Sequence, residues 1–461
     1  MSSALQTSKK ILFCILSVMF IVLSACGCQR EDTQPEKELA IWLDSSIYES
    51  LQSIWDAFRK ENTDVNVSFE LLPDPIAKPD NWVLEVSRLR TKIMAGEGPD
   101  LFILDSGSFR EGFFQDINKA MRNGIFSDML PMFDDIGVDE SSFNPALLEV
   151  GRVDGKQFIL PLTYHMDSIV SSELLMQKIG YSAFASTDQM LNSICSLMEA
   201  DGVARPFTPH HGSNTFNFNP YYYTDKPLVD YDSETALIDT PFIRSILASS
   251  KIVQDRMSEY ILSGEYDAIP QSGEFKEYIQ SDKFISVFQY TSYSIGEVSV
   301  CNYLDVTPNI DIFPNECGGV SAIVMAYAAV GAKCKNPNNA ANMLRLLLGE
   351  DLQAGNGNYI RWMTYGFPAR NEYTGQYVRN LNTKQNFVDL FLADIGMQPS
   401  STPLSNEIID HYLDIEARIS RACLPPPIEI TQIIEQYYRG EIDLDTCINH
   451  MQRYWNISLS E

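Results

Sequence analysis

The chain has 461 residues, 45% of them hydrophobic and 11% aromatic, with 34 basic against 61 acidic side chains and a formal charge of −27 at pH 7. So acidic a surface repels nucleic acid and anionic lipid headgroups, which argues against a nucleic-acid partner. The chain holds nine cysteines and five histidines; with no CxxC spacing this argues against a zinc site, so no metal or cofactor is expected, and mostly buried free thiols with at most one or two disulfides.

The first residues carry Lys9 and Lys10 and no acid, and a charge-free, predominantly apolar run extends from Ile11 to Leu23. This reads as a signal peptide over residues 1–25, too short to span a bilayer as a resident helix. Leu23-Ser24-Ala25-Cys26 fits a bacterial lipobox, which makes Cys26 the expected site of lipidation. Residues 26–37 then form the lipidated cysteine and a linker: Gln29 to Lys37, QREDTQPEK, has no apolar side chain and at full stretch reaches on the order of 30 Å. The folded part is therefore expected close to the outer face of a cell membrane, held by its lipid anchor.

From Glu38 onward strands and helices alternate. ELAIWLD predicts a buried strand that stops at Asp44, and Ser45 or Ser46 can cap a helix whose stripe is Ile47, Leu51, Ile54, Trp55 and Phe58. VNVSFEL alternates Val65, Val67, Phe69 and Leu71, as a half-buried strand does. A helix through Trp82, Val86, Leu89 and Ile93 ends at Gly96, and PDLFILD is a second buried strand, closing on Asp105. Strand-helix-strand-helix-strand implies a parallel α/β arrangement, whose ligands bind beyond the carboxyl ends of the strands. No repeat or low-complexity break divides the rest of the chain, and two or three domains are expected from the length.

KIMAGEGPDLFILD (92–105), GKQFILPLTYHMDSIVSSELLMQKIG (155–180), GVSAIVMAYAAVGAKCKNPNNAANMLRLLLGEDLQ (319–353), TYGFPARNE (364–372) and GEIDLDTCINHMQRYWNISLSE at the C-terminus occur in that order. Together they resemble the extracellular solute-binding proteins of ABC importers, in the branch that mostly binds sugars. The resemblance implies an α/β, two-lobed periplasmic-binding-protein-like fold (type II), its lobes joined by hinge strands around a central ligand cleft. It places lobe one at 38–162 plus 310–353 and lobe two at 163–309 plus 354–461. It also implies a monomer with ABC permease subunits as partners and a small solute, an oligosaccharide above all, as ligand. One departure concerns Val170-Ser171-Ser172, which stands where the family often has Tyr-Asn-Lys, so hydrogen bonds usually made there do not carry over.

Sugar sites combine aromatic faces for C–H surfaces with carboxylates and amides for hydroxyls. The candidates at predicted strand ends and crossings are Trp42, Asp44, Ser45, Asp105, Ser106, Tyr164, His165, Tyr290, Tyr293, Tyr359 and Trp362. Asp105 is the main polar candidate, with capping of a nearby turn as its alternative role, whereas Trp55 and Trp82 belong to apolar helical stripes. His210-His211 lies in a polar-aromatic loop, and adjacent histidines rarely point into one metal site. Enzyme motifs are missing: GGVSA at 318–322 lacks the second glycine of a nucleophile elbow, and GNGNYI at 355–360 fails GxGxxG at Ile360. The chain is thus expected not to be an enzyme; a surface-anchored glycosidase and a ligand-sensing binding lipoprotein are the alternatives.

Overall fold

The computed structural model describes residues 38–107, 111–178, 186–199, 218–262, 285–288, 298, 301, 307–356, 366–383 and 405–460. Its strands are β1 (Glu38–Asp44), β2 (Asn66–Leu72), β3 (Leu101–Asp105), the short hairpin β4 (Arg152–Val153) and β5 (Lys156–Gln157), β6 (Leu160–His165), β7 (Ser168–Ser172), a second hairpin β8 (Val229–Asp230) and β9 (Thr235–Ala236), β10 (Ile285–Phe288), β11 (Pro308–Ile312), β12 (Val320–Val330), β13 (Phe367–Pro368) and β14 (Ile419–Cys423). Seven of them form one sheet in the order β13-β6-β12-β3-β1-β2, with β14 also paired to β12; β10-β7-β11 form a second sheet. β1 runs parallel to β2 and β3, as the strand–helix alternation predicts, but β12 enters antiparallel to both β3 and β6 and makes the sheet mixed.

The early elements follow the predicted pattern with local differences. The stripe Ile47, Leu51, Ile54, Trp55 and Phe58 is buried, but it is split between two helices, Ser45–Ser50 and Gln52–Glu61, that meet at Leu51. Val65, just before the edge strand β2, and Val67 and Phe69 within it rest against the core, yet Leu71 is exposed and Leu72 is buried, so the alternation slips at the strand's end. The helix Pro79–Met94 buries Trp82, Val86 and Leu89 and is followed by Gly96 at φ +79°. All 11 residues of β12 are buried, because neighbours lie on both edges and elements cover both faces.

Among the described residues the chain passes from the large sheet to the second through Met166 and Asp167, between β6 and β7, and returns from β11 into β12; β14 then leads through Leu424–Pro427 into the helix Ile428–Tyr438, which packs in a core of the second region. One core surrounds the large sheet. Two further cores occupy the second region, sharing the helix Pro241–Leu262, which gives Ile246 and Val253 to one and Ile243 and Leu247 to the other. Phe367, Tyr377, Tyr412 and Ile415 lie in the core of the large sheet. The helices Asn371–Thr383 and Asn406–Ala417 therefore belong with the first region, although the resemblance groups residues 354–461 with the second. The reason is β13, which docks on β6 so closely that a Cβ at Gly366 would stand 2.5 Å from the Tyr164 carbonyl oxygen.

Among the described residues none of the six cysteines is in a disulfide, and Cys195, Cys301, Cys423 and Cys447 are buried. Among the described residues no helix is long and apolar enough to cross a membrane. Cys26 with its leader, Tyr290, Tyr293, Tyr359, Trp362 and the His210-His211 pair lie outside the described residues.

Candidate functional site

Strand register sets the site. β1 and β3 end side by side at Asp44 and Asp105, Asp105 pairs with Ala326 of β12, and Val324 of β12 pairs with Tyr164 of β6. The predicted residues of the first lobe thus form one row across the carboxyl end of the large sheet, where open α/β sheets receive ligands.

Within the row the side chains differ in what they can offer. Asp44 is buried, and its Oδ2 accepts the Asp105 backbone N–H at 2.8 Å. It stands at the N-cap of the helix Ser45–Ser50 but makes no side-chain cap bond there, and Ser45 is the half-buried first residue of that helix rather than its cap. Asp105 is half-buried and accepts the Gly107 N–H at 2.7 Å, a tight turn that Gly107, at φ +87°, permits. Ser106 is held by the β12 backbone, its N–H on Met325 O and its hydroxyl on Val324 O. The Tyr327 hydroxyl is pushed well up by burial and then by the nearby Asp44 and Asp105 carboxylates.

Two predicted aromatics pack into the core instead of standing over the row. Trp42 is 5% exposed and meets Phe102 and Phe113 edge-on, with centroids 5.8 and 6.3 Å away. Tyr164 is fully buried, stacks on Phe367 at 5.9 Å and donates its hydroxyl to Glu416 Oε1 at 3.2 Å. A period-2 strand puts alternate side chains on one face, and that face of β6 is covered by the late helices.

At the first crossing His165 and Asp167 are both buried, with Nδ1 and Oδ1 3.8 Å apart. Burial lowers the imidazole to about 3, and raises the carboxyl to about 7 against the hydrogen bond from Tyr223, so the two face each other as neutral groups between those values. Asp167 Oδ1 and Ser168 Oγ have no hydrogen-bond partner among the described residues. Asp167 and Tyr223 were not singled out in the sequence; the signal available was an acid between two strands in TYHMDSIV. The row therefore supplies the half-buried carboxylate of Asp105 and one backbone-held hydroxyl, that of Ser106, with a buried polar crossing beside it.

This is the two-lobed α/β architecture of periplasmic-binding-protein type. No family model matches the chain. Solved structures do: the sugar-binding protein MalE of Xanthomonas citri aligns with a TM-score of 0.57 at 14% identity, covering 92% of this chain and 97% of that one. An extracellular solute-binding protein family 1 member from Alicyclobacillus acidocaldarius gives 0.52 at 15% identity, with 92% and 98% covered. The GacH receptor of Streptomyces glaucescens, solved unliganded and with acarbose, gives 0.52 at 12% identity over the same shares. At such identities what is shared is the fold, that of extracellular solute-binding proteins.

Proposed function

We propose that this chain is an extracellular solute-binding protein that captures a small solute, an oligosaccharide foremost, by lobe closure and delivers it to an ABC importer; it is not an enzyme. The observation that carries the reading is the row from Asp44 to His165 at the sheet's carboxyl end, in a fold that aligns over 92% of the chain with sugar-binding proteins. A solute that touches both lobes only when they approach stabilises the closed arrangement by its differential affinity. Asp105, Ser45 and Ser106 serve as the polar wall, and Tyr290, Tyr293, Tyr359 and Trp362, which lie outside the described residues, are the aromatic candidates. Cys26 carries the lipid that keeps a monomeric receptor beside its permease.

A thermal-shift panel of glucose oligosaccharides, short peptides and polyamines tests this. A cognate sugar at 100 times its dissociation constant adds about 2.7 kcal/mol of stability. Stabilisation by peptides or polyamines alone would remove the sugar assignment, and turnover of any hit would move the chain to the enzyme class.

A further inference from the structure

A cavity of about 380 Å3 lies apart from the row of candidate residues: none of Asp44, Asp105, Ser106 or His165 lines it. Its volume is within the range of pockets that hold small organic ligands. Three guanidiniums line it, each from a different element: Arg122 on the helix Ile117–Arg122, Arg152 on β4 and Arg421 on β14. Three cations at one cavity run against the composition of a chain with 34 basic and 61 acidic side chains.

Two of these charges are poorly matched. Arg421 is half-buried, and its Nη1 donates to the carbonyl and hydroxyl oxygens of Thr224, both neutral; among the described residues no carboxylate forms an ion pair with it. Burial draws its pKa down, against Cys423 and Asp225. Arg152 gives Nη2 to Glu140 at 2.8 Å, but its buried Nε has no hydrogen-bond partner among the described residues. A desolvated guanidinium with donors left over is costly until an anion takes them, and its planar fork suits a carboxylate. Arg122, in contrast, is paired with Asp232. Two acids share the lining without answering Arg421 or Arg152. Asp116 is engaged at both oxygens, Oδ2 by the Tyr231 hydroxyl at 2.8 Å and Oδ1 by the Lys119 N–H at 3.1 Å, and burial raises its carboxyl, while Glu149 is exposed. Much of the remaining wall is aromatic: Trp455, with Tyr221 and Tyr231 at centroid distances of 6.2 and 6.3 Å. Pro425, Pro426 and Pro427 also line it and have no N–H to offer, so an anion at that wall finds its donors in side chains.

We propose that this cavity is a second binding site, for a small organic carboxylate, in which Arg421 and Arg152 supply the guanidinium donors and Tyr221, Tyr231 and Trp455 face the carbon skeleton. The site is independent of the solute-capture reading, since it shares no residue with the row at the sheet's carboxyl end.

Isothermal titration calorimetry of the full folded chain tests this with three probes. D-glucuronate joins a carboxylate to a ring with C–H faces, D-glucose is its uncharged counterpart, and inorganic phosphate is an anion with no carbon skeleton. Glucuronate binds at least about tenfold more tightly than either of the others, and Arg421→Gln and Arg152→Gln each weaken it by about tenfold, the loss that accompanies one charged hydrogen bond. Arg152 bonds only the exposed Glu140, so Arg152→Gln keeps the fold and decides the matter if Arg421→Gln does not fold. Asp105→Ala leaves glucuronate binding as it is in the wild type. Glucose or phosphate binding as tightly as glucuronate overturns the carboxylate assignment, and glucuronate binding lost in Asp105→Ala places the anion in the cleft and overturns the second site. Unchanged binding in a folded Arg152→Gln, or no binding of glucuronate at millimolar concentration, also overturns it.

Discussion

Asp44 and Asp105 are both strand-end acids, and their surroundings divide them into a structural and a binding role. Asp44 is buried with its carboxylate on the Asp105 amide, so Asp44→Ala leaves a buried donor unmatched and costs the unliganded protein about 1–3 kcal/mol, read as a lowered urea midpoint. Asp105 is half-buried, and its Oδ1 accepts the amide of Gly107 two residues on. Asp105→Ala therefore leaves the unliganded midpoint nearly in place but removes a charged hydrogen bond to solute, about 1.5–3 kcal/mol or tenfold and more in dissociation constant by calorimetry. Lost stability with unchanged affinity would make Asp105 a turn residue and nothing else. The sequence marks both residues as polar stops on apolar runs; which one faces inward depends on β1 and β3 lying side by side.

At the scale of elements, β6 is tied to the late helices through one buried acid. Glu416 on the helix Asn406–Ala417 accepts hydrogen bonds from Tyr164 on β6 and, at 2.9 Å, from Thr374 on the helix Asn371–Thr383. Burial raises its carboxyl to about 7 against those two hydrogen bonds. A carboxyl raised in the folded state binds its proton more tightly there than in the unfolded chain, so its contribution to stability is present at low pH and is lost as pH rises from the ordinary value of 4.5 through about 7. Urea midpoints should thus fall between pH 5 and pH 8, with Glu416 responsible for on the order of 2–3 kcal/mol of the slope. Glu416→Gln keeps an acceptor for Tyr164 and flattens that part; Asp167, also raised to about 7, leaves a residual slope. An undiminished slope in Glu416→Gln would show that its carboxyl titrates normally. TYGFPARNE announces a motif after the second return, but a contact between Tyr164 and Glu416 appears nowhere in local periodicity.

For the whole molecule, anchoring and capture are separable. Cys26→Ala should release the protein from membranes or leave it unprocessed, while Cys28→Ala should do neither; fractionation and immunoblotting read the difference. A processed Cys26→Ala protein that stays on the membrane would end the tether argument.

The alternation of strand and helix through Asp105 was legible in the sequence, because it is written in neighbouring residues as a burial period of 2 or 3.6. The meetings of residues far apart in the chain came only with the folded structure. β12 enters antiparallel between β3 and β6 and makes the sheet mixed, Trp42 and Tyr164 turn into the core, residues 366–383 join the first region through β13, and Asp116 finds Tyr231. Burial period reports how far a side chain is from water and carries no information about which distant strand or helix removes the water, so partners are settled only when long-range pairing brings the surfaces together.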